Sequence, residues 1–141
     1  KMKKLLYDTI EIESDKNQVS NILMNGIQLL KTDPNIIGIE PVAENEFLIL
    51  RHGAFNRQDM LLILAKQNSI EYKIDGQIID YSIIWEFETL DSGTTRLTQS
   101  LYIDETSRIT PILSLCNTAL SKFFSTFLEN IKHLAEISTM P

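Results

Sequence analysis

Apolar and polar residues alternate along two long segments of the chain, Ile78–Glu88 and Thr95–Asp104. Alternation with a period of two predicts strands that bury one face. The segment between them, Leu90-Asp91-Ser92-Gly93-Thr94, has the composition of a tight turn. We therefore expect two long antiparallel strands joined directly to each other.

Shorter β-rich runs, separated by turn residues, precede this pair. They predict five further strands: Leu6–Glu13, Ile36–Val42, Glu46–His52, Asp59–Ala65 and Ile70–Ile74. The regular spacing is typical of an antiparallel meander. The predicted sheet therefore has seven strands.

The dipeptide Asp75-Gly76 predicts a two-residue hairpin loop, because both central positions of a type I′ turn need a positive φ. That loop would place Tyr72 opposite Ile79 and bring the apolar residues of both strands onto one face. The same face continues through Ile83, Trp85 and Phe87, and in the last strand through Leu97, Gln99, Leu101 and Ile103. Gln99 is the only amide on this apolar face.

Two short helices are expected after the first strand. Asp15 and Gln18 have capping-box spacing, and Val19, Ile22 and Leu23 form a helical stripe. Asn25-Gly26 interrupts the stripe. A second helix over Ile27–Lys31 would end before Pro34, since the residue before a proline is disfavoured in helical conformation.

A long helix is predicted from Pro111 to Ile137, about 40 Å at roughly 1.5 Å per residue. Its apolar positions have helical spacing and are Leu113, Cys116, Leu120, Phe123, Phe124, Phe127, Ile131 and Leu134. The sheet is the expected docking surface for this stripe. The whole pattern indicates the α+β class.

Composition narrows the functional classes. The chain has 141 residues, 43% of them hydrophobic, which suits one domain over 1–141, and a formal charge of −6 with scattered basic residues argues against a nucleic-acid partner. No apolar run reaches the roughly 18–20 residues of a membrane span, so no stable membrane insertion is expected. The single cysteine fits a reducing, cytoplasmic compartment, and no motif for a metal or cofactor is present. The oligomeric state is left open.

The order of elements and one continuous motif resemble a known superfamily. The motif is Trp85-Glu86-Phe87-Glu88-Thr89-Leu90-Asp91-Ser92-Gly93-Thr94-Thr95-Arg96-Leu97-Thr98. With the strand, short helices, meander and terminal helix, it resembles the START-like (SRPBCC) superfamily of polyketide cyclases, lipid-transfer domains and birch-pollen-allergen-like proteins. The resemblance implies a helix-grip fold, in which a curved sheet wraps on the C-terminal helix. It also implies a cavity between them for a hydrophobic small molecule, and no shared catalytic motif.

Candidate cavity residues follow from the inward face. Tyr72, Tyr81, Trp85, Phe123 and Phe127 could line a pocket or fill the core. Gln99 could hold a ligand or bond a neighbouring tyrosine, because an unpartnered buried amide is costly. At the end of the Phe47–Leu50 strand either Arg51 or His52 points inward if the strand stays regular. An inward Arg51 could bind a carboxylate and an inward His52 could act as an acid or base, whereas the alternative is a solvated strand end.

Three functions remain open on this basis. The first is binding or carriage of a hydrophobic small molecule. The second is an enzyme of the polyketide cyclase or dehydratase type that uses the same cavity, although no catalytic residue can be assigned. The third is a protein-interaction module resembling co-chaperones, for which a sizeable exposed apolar patch would be diagnostic.

Overall fold

The computed structural model describes residues 1–53 and 55–139, and within this part it contains seven strands and four helices. The strands are β1 (Met2–Ile12), β2 (Ile36–Ala43), β3 (Glu46–Arg51), β4 (Gln58–Ala65), β5 (Ser69–Gly76), β6 (Tyr81–Asp91) and β7 (Thr94–Asp104). The helices are α1 (Lys16–Met24), α2 (Gly26–Leu30), α3 (Thr110–Leu115) and α4 (Asn117–Thr139).

All strands belong to one antiparallel sheet with the order β1-β7-β6-β5-β4-β3-β2. The six strands from β2 to β7 form a meander, and β1 closes the other edge by pairing with β7, with Ile10 opposite Leu97. The inward residues Ile83 and Trp85 of β6 and Leu97 and Leu101 of β7 are buried, as the alternation predicts. The predicted seven-stranded sheet of the helix-grip fold is confirmed.

The short helices after β1 form at the predicted places. The Asp15 side chain accepts a 2.8 Å hydrogen bond from the backbone N–H of Gln18, which satisfies one free donor at the start of α1. Val19 and Leu23 are fully buried on the inner side of α1. Helix α2 follows directly at Gly26, as the break at Asn25-Gly26 indicates.

The predicted long C-terminal helix is confirmed as α4, but its predicted start at Pro111 is wrong, because the segment forms two helices separated at Cys116. The backbone N–H of Cys116 bonds to the carbonyl oxygens of both Ile112 and Leu113, which tightens the last turn of α3. Serine, cysteine and asparagine are weak helix formers, and asparagine is favoured where a helix starts. The local sequence Ser114-Leu115-Cys116-Asn117 therefore ends one helix and begins the next.

The buried stripe of α4 differs from the predicted stripe at its start. Phe124, Phe127 and Ile131 are buried as expected, whereas Phe123 is 40% exposed. Leu128 and Ala135, outside the predicted set, are 1% and 0% exposed. The helix therefore docks with its buried face turned towards α1 and β1, both of which it contacts.

The predicted two-residue hairpin at Asp75-Gly76 is also wrong. Both residues extend β5 and pair with β4, and the chain turns only through residues 77–80. The side chain of Asn56 holds this turn by accepting from the N–H groups of Ile78 and Ile79 and donating to the Ile79 carbonyl. Tyr72 consequently lies opposite Ile83. The shift is an even number of residues, so the shared inward face survives.

Candidate functional site

A cavity of about 260 Å³ lies between the sheet and the two C-terminal helices. Strands β3 to β7, together with Leu5, Leu30 and the first half of α4, supply its wall. Most of the lining is apolar. Its aromatic members from the helix side are Phe123, Phe124 and Phe127, and Tyr72 and Tyr81 face them from the sheet.

The cavity reaches the surface beside Phe55 and Phe123. Both line it, and they are 43% and 40% exposed. Asn35 is a third exposed lining residue.

One end of the cavity carries a buried ionic cluster around Arg51. Its Nε donates a 2.7 Å hydrogen bond to Oδ2 of Asp59, and its Nη1 donates a 2.9 Å hydrogen bond to Oδ2 of Asp33. The side chains of Asp59 and Asp33 are 0% and 3% exposed, and that of Arg51 is 14% exposed. We call these three residues the Arg51 cluster.

The environment fixes the protonation states in this region. Burial alone would lower the pKa of Arg51, but the hydrogen bond to Asp59 and the charges of Asp59 and Asp33 outweigh this and raise it. Burial raises the pKa of Tyr72 and Tyr81, so both hydroxyls stay protonated at neutral pH. Arg51 is therefore a permanent cation in the cavity wall.

Both tyrosines have hydrogen-bond partners in the protein. The Tyr72 hydroxyl donates to the Leu23 carbonyl, which ties β5 to the end of α1. The Tyr81 hydroxyl lies 3.4 Å from Oδ2 of Asp59, a long contact at the edge of the Arg51 cluster. Tyr72 thus serves packing, whereas Tyr81 lies where a ligand would meet the polar end.

The cavity brings together five of the eight predicted site residues, namely Arg51, Tyr72, Tyr81, Phe123 and Phe127. Of the alternatives Arg51 and His52, Arg51 points inward. His52 is exposed, and its backbone N–H bonds to the Asn35 carbonyl beside the edge strand. Regular alternation after the buried Ile49 accounts for this choice.

Trp85 and Gln99 lie outside the lining of this cavity in the described structure. Trp85 is fully buried, with its ring 4.6 Å from that of Tyr72 and 6.2 Å from that of Phe127, centroid to centroid. Gln99 borders a separate, smaller cavity of about 190 Å³ next to Leu6, Asp8 and Ser125. Contact of Trp85 or Gln99 with a ligand in this cavity is therefore not proposed.

Sequence reasoning missed the acidic half of the Arg51 cluster. Asp59 alternates with the buried Leu61 and Ile63, so strict period-two counting on β4 would have placed it inward. Asp33 gave no comparable signal, because its position directly before Pro34 indicates only the end of a helix. Only the fold brings it to Arg51.

Two features are absent from the part of the chain that the structure describes. It contains no group of three or more histidine, cysteine, aspartate or glutamate side chains arranged to hold a metal ion. None of the described helices combines the length and apolar character needed to cross a membrane.

Comparisons with known proteins identify the fold. The sequence matches no protein-family model and no curated protein. Among solved structures, an aromatase/cyclase from Streptomyces sp. R1128 superposes with a TM-score of 0.76 at 15% identity, covering 99% of this chain and 97% of that one. A START superfamily protein from Mycobacterium smegmatis has a TM-score of 0.72 at 12% identity, with 93% and 98% covered.

A plant enzyme has the same architecture. A norcoclaurine synthase point mutant from Thalictrum flavum, in complex with a transition-state analogue, has a TM-score of 0.75 at 10% identity. The alignment covers 99% of this chain and 97% of that one. The chain therefore has the START-like helix-grip fold, and at these identities the likeness concerns the fold alone.

Proposed function

We propose that the protein binds one small, mainly apolar molecule in the cavity between the sheet and α4. The observation that carries this proposal is a largely apolar cavity, bordered at the surface by Phe55 and Phe123, whose one charged cluster presents mainly Arg51. Ligand pockets typically combine an apolar wall with a few placed polar groups. The START-like resemblance, which implies hydrophobic ligands at this place, supports the same conclusion.

The size of the cavity limits the ligand. Pockets for small molecules usually have volumes of about 300–1,000 Å³, and this cavity has about 260 Å³. A compact bicyclic molecule or a short chain suits it better than a membrane lipid with two acyl chains. Carriage of such a compound in the cytoplasm is the corresponding role, and the free Cys116 is consistent with a reducing compartment.

Titration with the neutral fluorophore N-phenyl-1-naphthylamine tests the proposal. Binding should raise probe emission and change Trp85 emission, because Trp85 contacts the lining residues Tyr72 and Phe127. A cavity-filling variant, Ile83→Phe, should weaken binding, since Ile83 lines the cavity. The matched control is Ile84→Phe, whose side chain lies on the opposite face of the same strand.

The outcome depends on folded variants, so thermal melts accompany the titrations. Overpacking typically costs about 1–3 kcal/mol, which leaves room for a folded Ile83→Phe. Saturable probe binding that Ile83→Phe weakens and Ile84→Phe leaves unchanged would support the cavity as the site. Absence of binding to the wild type, or equal binding by both variants, would contradict it.

A cyclase-type enzyme is the second candidate, because Tyr81 and the Arg51 cluster form one polar end in an otherwise apolar cavity. It ranks second for a physical reason. Both carboxylates are inaccessible and held by Arg51, and the two histidines, His52 and His133, are exposed. Turnover of a linear poly-ketone thioester to a cyclic product, abolished in Tyr81→Phe, would promote this candidate.

A further inference from the structure

The part of the Arg51 cluster that a ligand can contact is a hydrogen-bond donor. Nε and Nη1 of Arg51 are used by Asp59 and Asp33, and within residues 1–53 and 55–139 no hydrogen bond engages Nη2. The Arg51 side chain is 14% exposed, whereas the carboxylates behind it are almost completely covered. A ligand group that contacts Arg51 must therefore accept a hydrogen bond.

The charge of the cluster disfavours an anionic acceptor. One guanidinium is held by two carboxylates, so the cluster carries a net charge of −1 before a ligand arrives. A ligand carboxylate would become a third anion around one cation at a buried site, where like charges repel strongly. An arginine paired once would attract a carboxylate, but Arg51 is paired twice.

A cationic group is disfavoured by geometry. An ammonium could be neutralised only by contact with the oxygens of Asp33 or Asp59. Asp33 and Asp59 both belong to the cavity lining, but their side chains are only 3% and 0% exposed, and Oδ1 of Asp59, which has no hydrogen-bond partner among the described residues, is itself inaccessible. The ammonium would instead meet the more exposed Arg51 guanidinium, which repels it.

We propose that the ligand's polar end is an uncharged hydrogen-bond acceptor, such as a ketone or ester carbonyl, and that Asp33 sets this preference by cancelling the charge that Arg51 would offer to a carboxylate. This inference rests on the function proposed above. It assigns Asp33 as a positioning and selectivity residue, since it acts on the ligand through Arg51.

Calorimetric titration with four naphthalenes of similar size tests the preference. They are methyl naphthyl ketone, naphthoate, naphthylmethylamine and ethylnaphthalene. The ketone should bind more tightly than the hydrocarbon, because it gains the hydrogen bond from Nη2. Naphthoate and the amine should bind at least about tenfold more weakly than the ketone, since unfavourable charge contacts in buried sites weaken binding strongly.

Variants separate selectivity from general electrostatics. Asp33→Asn leaves Arg51 and Asp59 as a neutral pair and should improve naphthoate binding by about tenfold without changing ethylnaphthalene. Asp75→Asn removes the same charge from an exposed position of β5 and is the control. It should change neither ligand's affinity.

The possible failures are distinguishable. If none of the four compounds binds the wild-type protein, the proposed cavity function itself is overturned. If ethylnaphthalene and the ketone bind but naphthoate binds as tightly as the ketone, the cavity function stands and the charge selectivity is wrong. An Asp33→Asn variant that folds, as judged by its thermal melt, and leaves naphthoate affinity unchanged would remove the role of Asp33.

Discussion

The indole Nε1 of Trp85 donates a 2.8 Å hydrogen bond to Oε1 of Gln99 on the neighbouring strand. Gln99 completes its own hydrogen bonding through Nε2, which donates to the Phe124 carbonyl of α4 at 3.0 Å. Both side chains are buried. The amide therefore links two strands to the terminal helix, and its presence on an apolar face is explained without a ligand.

Replacing Gln99 by leucine should destabilise the protein. The substitution leaves the Trp85 N–H buried without a partner, a loss of about 1–3 kcal/mol in the free energy of unfolding. Urea unfolding measures it, with the exposed Gln77→Leu as the control. Equal stability of the two variants would show that the Trp85–Gln99 hydrogen bond is dispensable.

Arg51→Met should be among the most damaging single changes in the chain. It leaves Asp33 and Asp59 buried without their cation, and breaking a buried pair in this way costs roughly 3–5 kcal/mol. Arg96→Met is the comparison, because Arg96 also faces two acidic residues, Glu11 and Glu88, but at the surface. Its loss should be about 0–1 kcal/mol. Similar denaturation midpoints for both variants would contradict the structural weight given to the Arg51 cluster.

Glu136 should contribute to stability at neutral pH and lose that contribution in acid. The backbone N–H of Glu13 donates to its carboxylate at 2.8 Å, and this bond, aided by Lys132, lowers the pKa of Glu136. A lowered pKa in the folded state means stability that is present above the ordinary value of 4.5 and lost as the pH falls through the folded value. Thermal melts of wild type and Glu136→Gln should converge below that value. A difference in melting temperature between wild type and Glu136→Gln that does not change with pH would contradict the link between the lowered pKa of Glu136 and stability.

Phe127→Ala tests whether the cavity is open space or packed core. A fully packed phenylalanine costs about 3–5 kcal/mol when truncated to alanine. Because Phe127 borders the cavity, Phe127→Ala should lower the free energy of unfolding by less than Leu128→Ala does, when each value is divided by the size of the side chain removed. Phe127→Ala should also admit larger naphthalene derivatives in calorimetric titrations. If Phe127→Ala loses as much stability as a fully packed phenylalanine and does not bind larger ligands, the cavity does not extend to Phe127.

The features that the sequence predicts well are local or periodic. Alternation in β6 and β7 gives the inward face, and side-chain spacing gives the Asp15 cap of α1. These signals lie within a few residues of the elements that they specify. The overall helix-grip arrangement is implied by the resemblance of the order of elements and of the Trp85–Thr98 motif to the START-like superfamily, and it is confirmed.

The features that it predicts poorly depend on partners far along the chain. Arg51 pairs with Asp33, which lies 18 residues away in the sequence. The continuous apolar run Phe47–Leu50 also hides which face of β3 is inward. Trp85 satisfies Gln99 only because two strands adopt one particular register. Such pairings are settled by tertiary packing, which a local pattern does not encode.

The turn held by Asn56 bears on what the β5–β6 hairpin can do alone. A peptide of residues 69–91 keeps Asp75-Gly76 but lacks Asn56, which lies 22 residues before Ile78. Its local preference is the two-residue turn. Nuclear Overhauser contacts in that peptide should join Tyr72 to Ile79, and contacts of Tyr72 with Ile83 would contradict this expectation.

The same side chain therefore makes the hairpin's alignment a property of the assembled sheet. Asn56 lies just before β4 and also lines the cavity. Because β4 pairs with one side of β5, the position of Asn56 fixes the residue at which the pairing of β5 with β6 on the other side ends. Tyr81 begins β6 at the Arg51 cluster only in this alignment. The polar end of the cavity therefore forms only in the register that the complete sheet imposes. We expect the isolated hairpin to adopt the other register.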